Sequence, residues 1–409
     1  IGGTVGDIES QPFLEAIRQI RHDSCRDNAL FIHLTLVPFI AAAGEVKTKP
    51  TQHSVRELME IGIQPDILIC RTERPLSEDT KRKIALFCNV EFGAVIESRD
   101  VPTIYQIPLA FAEQGLDNLV CRKLGLETKP ADLTTWRSLV EKVVHPKSKV
   151  RIAVVGKYTD YADSYKSIQE ALIHGGIAND VGVEIAWTSS DLFSDRDTAK
   201  RLLAAHDALL VPGGFGVRGV EGMVEAIAGA REGGTPFFGI CLGMQVAIIE
   251  FARNVCQLDD SNSSEFAPEC AHPVIALMES QHGVKDMGGT MRLGAYACRL
   301  ARGSHAAEIY GVPEISERHR HRYEVGNGFR ELFVEKGMRL SGLSPDGSLV
   351  EMVELPDHPY FVACQFHPEL KSRPTRPHPL FASFVAAAVN RRNARAAAGD
   401  AAPALAKAK

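Results

Sequence analysis

Short, almost continuously apolar runs recur along this chain with helix-patterned segments between them. That alternation constrains the fold more than any other feature. FIHLTLVPFI (31–40) and DILIC (66–70) read as buried strands, and HSVRELMEIG (53–62) and EDTKRKIALF (78–87) carry helical spacing. A second block repeats the pattern with RIAVVGKY (151–158), ALLVPGG (208–214), FFGIC (237–241) and FVACQF (361–366). A strand with one wet face alternates apolar and polar residues, whereas a strand covered on both faces is apolar throughout. Such runs with helices between them predict α/β architecture: two tandem domains, each a mainly parallel sheet with helices on both faces.

A chain of 409 residues has room for two or three domains. The composition turns polar after Leu126, and KPADLTTWRSLVEKVVHPKSK (129–149) reads as a connecting helix ending in a linker. The predicted division is a first domain over 1–127, a linker over 128–150, a second domain over 151–392 and a disordered Ala/Lys-rich tail over 393–409. The stretch from 290 to 365 is richer in strand signals than what precedes it. A net charge of −5 gives no reason to expect nucleic acid or an acidic membrane as partner. No apolar run approaches the roughly 20 residues that span a bilayer. Nine scattered cysteines without a CxxC pair point to reduced thiols, a cytoplasmic setting and no cysteine-held metal. Ile1-Gly2-Gly3-Thr4 reads as a chain entered just after a buried strand, so a preceding N-terminal portion is expected.

Gly239-Ile240-Cys241-Leu242-Gly243 places a cysteine in a G-x-C-x-G frame where a strand is predicted to give way to a helix. A buried space-filling cysteine is the plain reading. The other is a nucleophile elbow, in which small flanking residues admit a sharp turn and the helix N-terminus favours a thiolate. The N–H of Leu242 then faces a developing oxyanion, with a second donor from the glycine-rich turn Pro212-Gly213-Gly214-Phe215-Gly216. A nucleophile needs a base and the base an orienting partner. CQFHPE (364–369) supplies His367 and Glu369, which share a face if the stretch is extended.

PGGFGVRG, GICLGMQ and FHPE, in that order, resemble the class I glutamine amidotransferases over roughly 151–392. The resemblance implies that Cys241 attacks the side-chain amide of glutamine to give a thioester. His367 protonates the departing ammonia and then activates water, and Glu369 orients His367. It also implies that Gly214, Leu242, Gln245, Glu265 and Arg322 hold the glutamine. Arg322 suits the α-carboxylate, because its guanidinium fork matches it bidentately, and Glu265 suits the α-ammonium. On residues alone, RHRHR (318–322) is equally a solvated strand edge or a small basic patch.

The first block adds GGTVGDIES (2–10), an acidic turn fit for a nucleotide or Mg²⁺ or simply for starting a helix, and GEVKTKPTQHS (44–54), whose two lysines beside a helix N-terminus suit a phosphate or are plain solvated charge. With HLTLVP, GIQPDILICR, KIALFCNV, GGTMRLG (288–294) and ERHRHRYEV (317–325), these resemble the CTP synthase family over nearly the whole chain. The resemblance implies ATP-dependent phosphorylation of UTP, with Mg²⁺, and displacement of that phosphate by glutamine-derived ammonia. It implies UTP contacts, or CTP as feedback inhibitor, at Asp7, Ile8, Glu9, Lys47, Thr48, Lys49, Pro50, Thr51, Gln52 and Lys83. It places ATP at Arg99, Asp100 and Val101, makes GTP an activator, and implies a homotetramer. The family's phosphate loop and principal Mg²⁺ ligands are expected before Ile1, since no stretch here reads G-x-x-x-x-G-K-[ST]. Without them, glutamine hydrolysis is expected and CTP formation is not. Two other readings stay open: a glutaminase serving a different synthetase, and a non-catalytic subunit that assembles with intact copies.

Overall fold

A computed structural model describes residues 5–23, 28–158, 163–277 and 291–399. The chain forms two compact units, Ile1–Val144 and His145–Lys409. Residues 1–4, 288–290 of GGTMRLG and the tail from 400 lie outside the described residues. No described helix is long and apolar enough to cross a membrane.

In the first unit, helix α1 (Gln11–Asp23) precedes strands β1 (Ile32–Leu36), β2 (Phe39–Ile40) and β3 (Glu45–Val46). Then come α2 (Lys49–Glu60), β4 (Ile67–Thr72), α3 (Glu78–Cys88), β5 (Val95–Arg99), α4 (Ile107–Glu113), α5 (Leu116–Lys123) and α6 (Thr134–Val144). β1, β4 and β5 make a parallel sheet in that order, and β2 pairs antiparallel with β3. α3 starts where Ser77 Oγ accepts the Thr80 N–H at 3.2 Å, with Glu78 and Asp79 in the favourable first turn. β4 is covered on both sides: Leu68 and Cys70 pack with Val55 and Ile84, and Ile67 packs with Ile96 and Leu119.

FIHLTLVPFI is not the buried strand its composition predicts. β1 lies at the sheet edge, and the period of two works against its apolar residues. His33 and Thr35 face α2, bonded to Ser54 at 2.8 Å and Thr51 at 3.1 Å. Ile32, Leu34 and Leu36 take the opposite face and are 44%, 65% and 52% exposed.

The second unit opens with β6 (Lys149–Gly156), α7 (Lys166–Ala178), β7 (Gly182–Ser189), α8 (Arg196–Ala204), β8 (Ala208–Val211), α9 (Val220–Glu232), β9 (Phe237–Ile240) and α10 (Leu242–Asn254). A strand-rich part follows: β10 (Ser261–Ser263), β11 (His272–Leu277), β12 (Arg292–Leu300), α11 (His305–Tyr310), β13 (Glu314–His321), β14 (Tyr323–Val325) and α12 (Arg330–Glu335). β15 (Arg339–Leu343), β16 (Val350–Glu354), β17 (Phe361–Cys364) and α13 (Pro379–Ala397) complete it. α13 runs past residue 393, where the sequence reading begins the tail.

Among the described residues nine strands form one sheet in the order β13-β12-β15-β16-β17-β9-β8-β6-β7. From β17 to β7 the pairs are parallel, and from β13 to β17 antiparallel. β8, β9 and β17 are buried at every position, as their continuous apolarity predicts. Adjacent residues of β9 serve opposite faces. Phe237 packs on Phe361 in the cluster shared with α9 and α10, and Phe238 packs on Phe381 and Phe384 of α13. Each such ring contributes roughly 1.5–3 kcal/mol by leaving water, so this centre anchors the strand ends that carry the site.

Candidate active site

Cys241 sits between the last residue of β9 and the first of α10, at φ 53° and ψ −102°. A non-glycine residue does not take that conformation unless its surroundings impose it. Here the Cys241 N–H donates to the Cys364 carbonyl at 2.7 Å, and its own carbonyl accepts from Met244 and Gln245 at 3.1 and 3.2 Å. The turn is tight enough that a Cβ on Gly243 would lie 2.1 Å from the Val211 carbonyl oxygen. The glycine after the cysteine is therefore required by β8, the neighbouring strand.

β17 pairs with β9 so that Cys364 lies beside Ile240, which brings the FHPE segment to the elbow. The extended geometry predicted for that segment is not found. Pro368–Lys371 form a 3-10 turn, with His367 as the residue before it at φ −111° and ψ 83°. Proline's fixed φ suits the first position of such a turn, while His367 keeps the extended region that a following proline demands. The turn still brings the two side chains together: His367 Nδ1 lies 2.7 Å from Glu369 Oε1. The His367 N–H donates to the Arg318 carbonyl at 2.7 Å, tying the segment to β13. A Cβ on Gly213 would be 2.9 Å from His367 Cε1 and 3.5 Å from Cys241 Cβ, so the ring and the cysteine meet under that glycine.

The electrostatics favour a charged imidazole. Burial alone lowers the proton affinity of His367, but hydrogen bonds to Cys241 and Glu369 outweigh it and push the pKa up to about 10. Two further histidines go the other way. His319 and His321 lie on the inward face of β13 with rings bonded at 2.9 Å. Burial, then the Arg292 charge, lowers them to about 2 and about 3, so both stay neutral. RHRHR is thus neither a wholly solvated edge nor a simple basic patch: its histidines are core-facing, and Arg320 and Arg322 border a cavity.

That cavity, of about 380 Å³, is lined by Gly214, Phe215, Cys241, Gln245, Glu265, Met291, Arg320, His321, Arg322 and Tyr323. It gathers Gly214, Gln245, Glu265 and Arg322 around Cys241, as the resemblance implies. Leu242 is buried behind them rather than lining the space. Glu265 Oε1 accepts the Gly216 N–H at 2.9 Å, which fixes it on the glycine-rich turn. Gln245 Nε2 donates to the Tyr323 carbonyl at 3.2 Å and to Gln365 Oε1 at 3.1 Å.

Sequence reasoning gave Lys157, Tyr323 and Gln365 no place at the site and named Phe215 and Arg320 only within their motifs. Lys157 donates to the Phe215 carbonyl at 3.3 Å, and burial lowers its pKa to about 8 against the opposing pull of Glu265. Its position at the end of a buried strand was the available signal.

In the first unit, Asp7 precedes a 3-10 turn, Ile8–Ser10, and Ile8 is exposed. Lys47 is exposed and paired with Glu45. The hydrogen bond from Lys47 is the chief cause that holds the Glu45 carboxyl below its ordinary pKa, and Lys83 adds a smaller share. Lys49, Pro50, Thr51 and Gln52 form the first turn of α2, and Lys49 and Gln52 border a cavity of about 540 Å³. Thr48 and Thr51 are buried, and the Thr51 hydroxyl donates to the Leu36 carbonyl at 3.0 Å. Arg99, Asp100 and Val101 line a separate cavity of about 580 Å³ together with Lys81, Glu97 and Gln106. Among the described residues no three His, Cys, Asp or Glu side chains converge as metal ligands.

Comparison with known proteins accords with this geometry. Residues 160–387 match the family described as Glutamine amidotransferase class-I, the class that the sheet and the cysteine elbow define. Residues 1–126 match the family described as CTP synthase N-terminus. Curated CTP synthases are similar over nearly the whole chain. That of Koribacter versatilis (strain Ellin345) is 56% identical over 398 residues, covering 97% of this chain and 71% of the relative. That of Geotalea uraniireducens (strain Rf4) is 59% identical over 391 residues, covering 95% and 73%. A solved structure titled "Trypanosoma brucei CTPS - glutaminase domain with bound acivicin" superposes with a TM-score of 0.56 at 41% identity, over 59% of this chain and 94% of that one. The chain belongs to the CTP synthase family. By that membership it is a glutamine-hydrolysing ligase of pyrimidine nucleotide synthesis, aminating UTP to CTP with ATP.

Proposed function

We propose that Cys241, His367 and Glu369 are the nucleophile, the proton carrier and the orienting carboxylate of glutamine hydrolysis. The observation that carries this reading is the 2.7 Å contact of Glu369 with a His367 ring whose proton is retained beside Cys241. The Cys241 sulfur attacks the side-chain carbonyl carbon of glutamine, and the oxyanion takes hydrogen bonds from the N–H of Leu242 and from the Gly213–Gly214 turn. His367 gives its proton to the leaving nitrogen, so ammonia departs and a thioester remains. The ring, now neutral, takes a proton from water, whose oxygen attacks the thioester. Collapse expels the Cys241 thiolate and the new carboxylic acid loses its proton to solvent as glutamate, while His367 keeps the proton it took from water. Glu369 holds the ring in place throughout.

Glu265 and Arg322 are proposed to bind the α-ammonium and α-carboxylate of glutamine, with Gly214, Leu242 and Gln245 shaping the rest. In the first unit, Asp7, Ile8, Glu9, Lys47–Gln52 and Lys83 are proposed for UTP, or for CTP as inhibitor, and Arg99, Asp100 and Val101 for ATP. ATP would act with Mg²⁺, GTP as an activator, and the working state as a cytoplasmic homotetramer. The proposed division is a synthetase part over 1–127, a linker over 128–150, a glutaminase domain over 151–392 and a tail over 393–409.

The test is glutamate release by the purified chain with ATP, UTP and GTP present. Cys241→Ala is expected to lower the turnover by ~10³-fold or more. Turnover within a few-fold of the parent would remove Cys241 from the chemistry.

A further inference from the structure

Gln365 has no role in the chemistry above, yet it touches the proposed nucleophile. It follows β17 directly. Because Cys364 is in register with Ile240, the next residues on the two parallel strands, Gln365 and Cys241, stand side by side. The Gln365 side chain is fully buried. A primary amide has donors and an acceptor to satisfy when removed from water. Here its Oε1 accepts from Gln245 Nε2 at 3.1 Å and its Nε2 donates to Cys241 Sγ at 3.6 Å. Its backbone N–H donates to the Glu351 carbonyl at 2.9 Å.

The direction of this chain is set at its far end. Gln245 Nε2 also faces the Tyr323 carbonyl at 3.2 Å, and a carbonyl can only accept. The NH₂ group of Gln245 must therefore point that way, which leaves the oxygen of Gln365 toward Gln245 and its NH₂ toward the sulfur. Two buried amides thus run from the wall of the glutamine cavity to the reacting atom.

We propose that Gln365 is a catalytic residue whose side-chain N–H holds Cys241 Sγ as a thiolate. This rests on the reading of Cys241 as nucleophile. A donor aimed at an anion in a water-poor site makes a charge-assisted bond stronger than one between neutral groups. The thiolate's former proton resides on His367, and Gln365 gives up none. When the thioester forms, the sulfur loses its charge and the bond weakens. When the thioester is hydrolysed, the sulfur leaves as thiolate, and the same donor is in place to receive it.

Two full-length variants separate this from a structural role. Gln365→Glu retains an acceptor for Gln245 and removes the donor toward sulfur. Gln365→Met removes both at similar length. The readout is the rate of Cys241 alkylation by iodoacetamide from pH 5 to 10, followed by peptide mass. The charged and titratable groups facing the sulfur and its cavity are His367 and Glu369 on the 3-10 turn, Cys364 on β17, Arg320, His321, Arg322 and Tyr323 on and after β13, and Glu265 after β10. All are unchanged in both variants. Both are expected to react up to about tenfold more slowly on the acid limb of the profile, which moves about one unit higher. A Gln365→Glu profile matching the parent, with only Gln365→Met raising KM for glutamine, would mean that Gln365 merely orients Gln245, and would overturn the proposal. An unaltered chain whose Cys241 resists alkylation at every pH would remove the catalytic reading itself, and this inference with it.

Discussion

The backbone at Cys241 makes a test in which the usual order of two substitutions is reversed. Both Cys241→Ala and Cys241→Gly remove the sulfur and its contact with His367, so those losses cancel between them. What remains is the conformation, φ 53° and ψ −102°. The φ alone belongs to the left-handed region, and the ψ moves the residue out of the αL well toward the rare, strained γ-turn region. The upper end of the strain range, about 3 kcal/mol, is appropriate. Alanine keeps that strain and glycine releases it. Against this, glycine loses about 1 kcal/mol through the greater freedom of the unfolded chain and about 0.8 kcal/mol for one buried methyl group. The balance leaves Cys241→Gly the more stable by about 1 kcal/mol, whereas glycine for alanine in an ordinary helix or strand destabilises by about that amount. Urea unfolding measures it. In a Trp136→Phe background Trp187, on β7, reports the second unit alone. A Cys241→Ala variant as stable as Cys241→Gly, or more so, would refute the strained elbow.

Three further outcomes follow from the same structure. Gly243→Ala drives a Cβ to 2.1 Å from the Val211 carbonyl oxygen, and should destabilise the second unit by at least about 1–3 kcal/mol in the same assay; an unchanged midpoint would contradict the close approach. His367 is raised from 6.5 to about 10, so its contribution to stability is complete below about pH 6.5 and is lost as pH climbs through about 10. The advantage of the parent over Glu369→Gln should therefore shrink between pH 7 and 10.5, and a constant difference would contradict the assignment. Glu324 is raised from 4.5 to about 8, by burial first and then by Glu351 against the pull of Arg292. The native state keeps a proton that the unfolded state has released, so Glu324 lowers stability progressively from about pH 4.5 to 8. Glu324→Gln should gain on the parent across that range, and a loss would show that the carboxylate is ionised and paired with Arg292.

Much of the site was legible because its chemistry demands local sequence. A cysteine at a strand–helix elbow needs a small residue after it, and Gly243 is visible in the motif before its contact with Val211 is known. The parallel part of the second block was legible because β8, β9 and β17 are buried on both faces and so carry no polar positions. β1 misled because apolar content alone does not say which face is covered, and His33 and Thr35 hold the covered one. The two side chains of the FHPE segment meet by a different geometry from the extended one expected, since a period of two and a single 3-10 turn both place residues two apart within reach. Gln365 and the buried group of His319, His321, Arg292 and Glu351 were not legible as such. Their meaning depends on register across strands far apart in the chain, and a glutamine or histidine in a strand has no local spacing that marks it.

The central claim is that Cys241 is a nucleophile presented to a bound glutamine by this cavity. Covalent labelling with a glutamine-mimicking diazoketone, followed by intact mass and peptide mapping, tests it most directly. The expected result is one adduct on Cys241, slowed by glutamine and lost in Cys241→Ala, while the other cysteines stay unmodified. A folded chain that takes no adduct at Cys241, or takes it elsewhere at an equal rate, would contradict the claim.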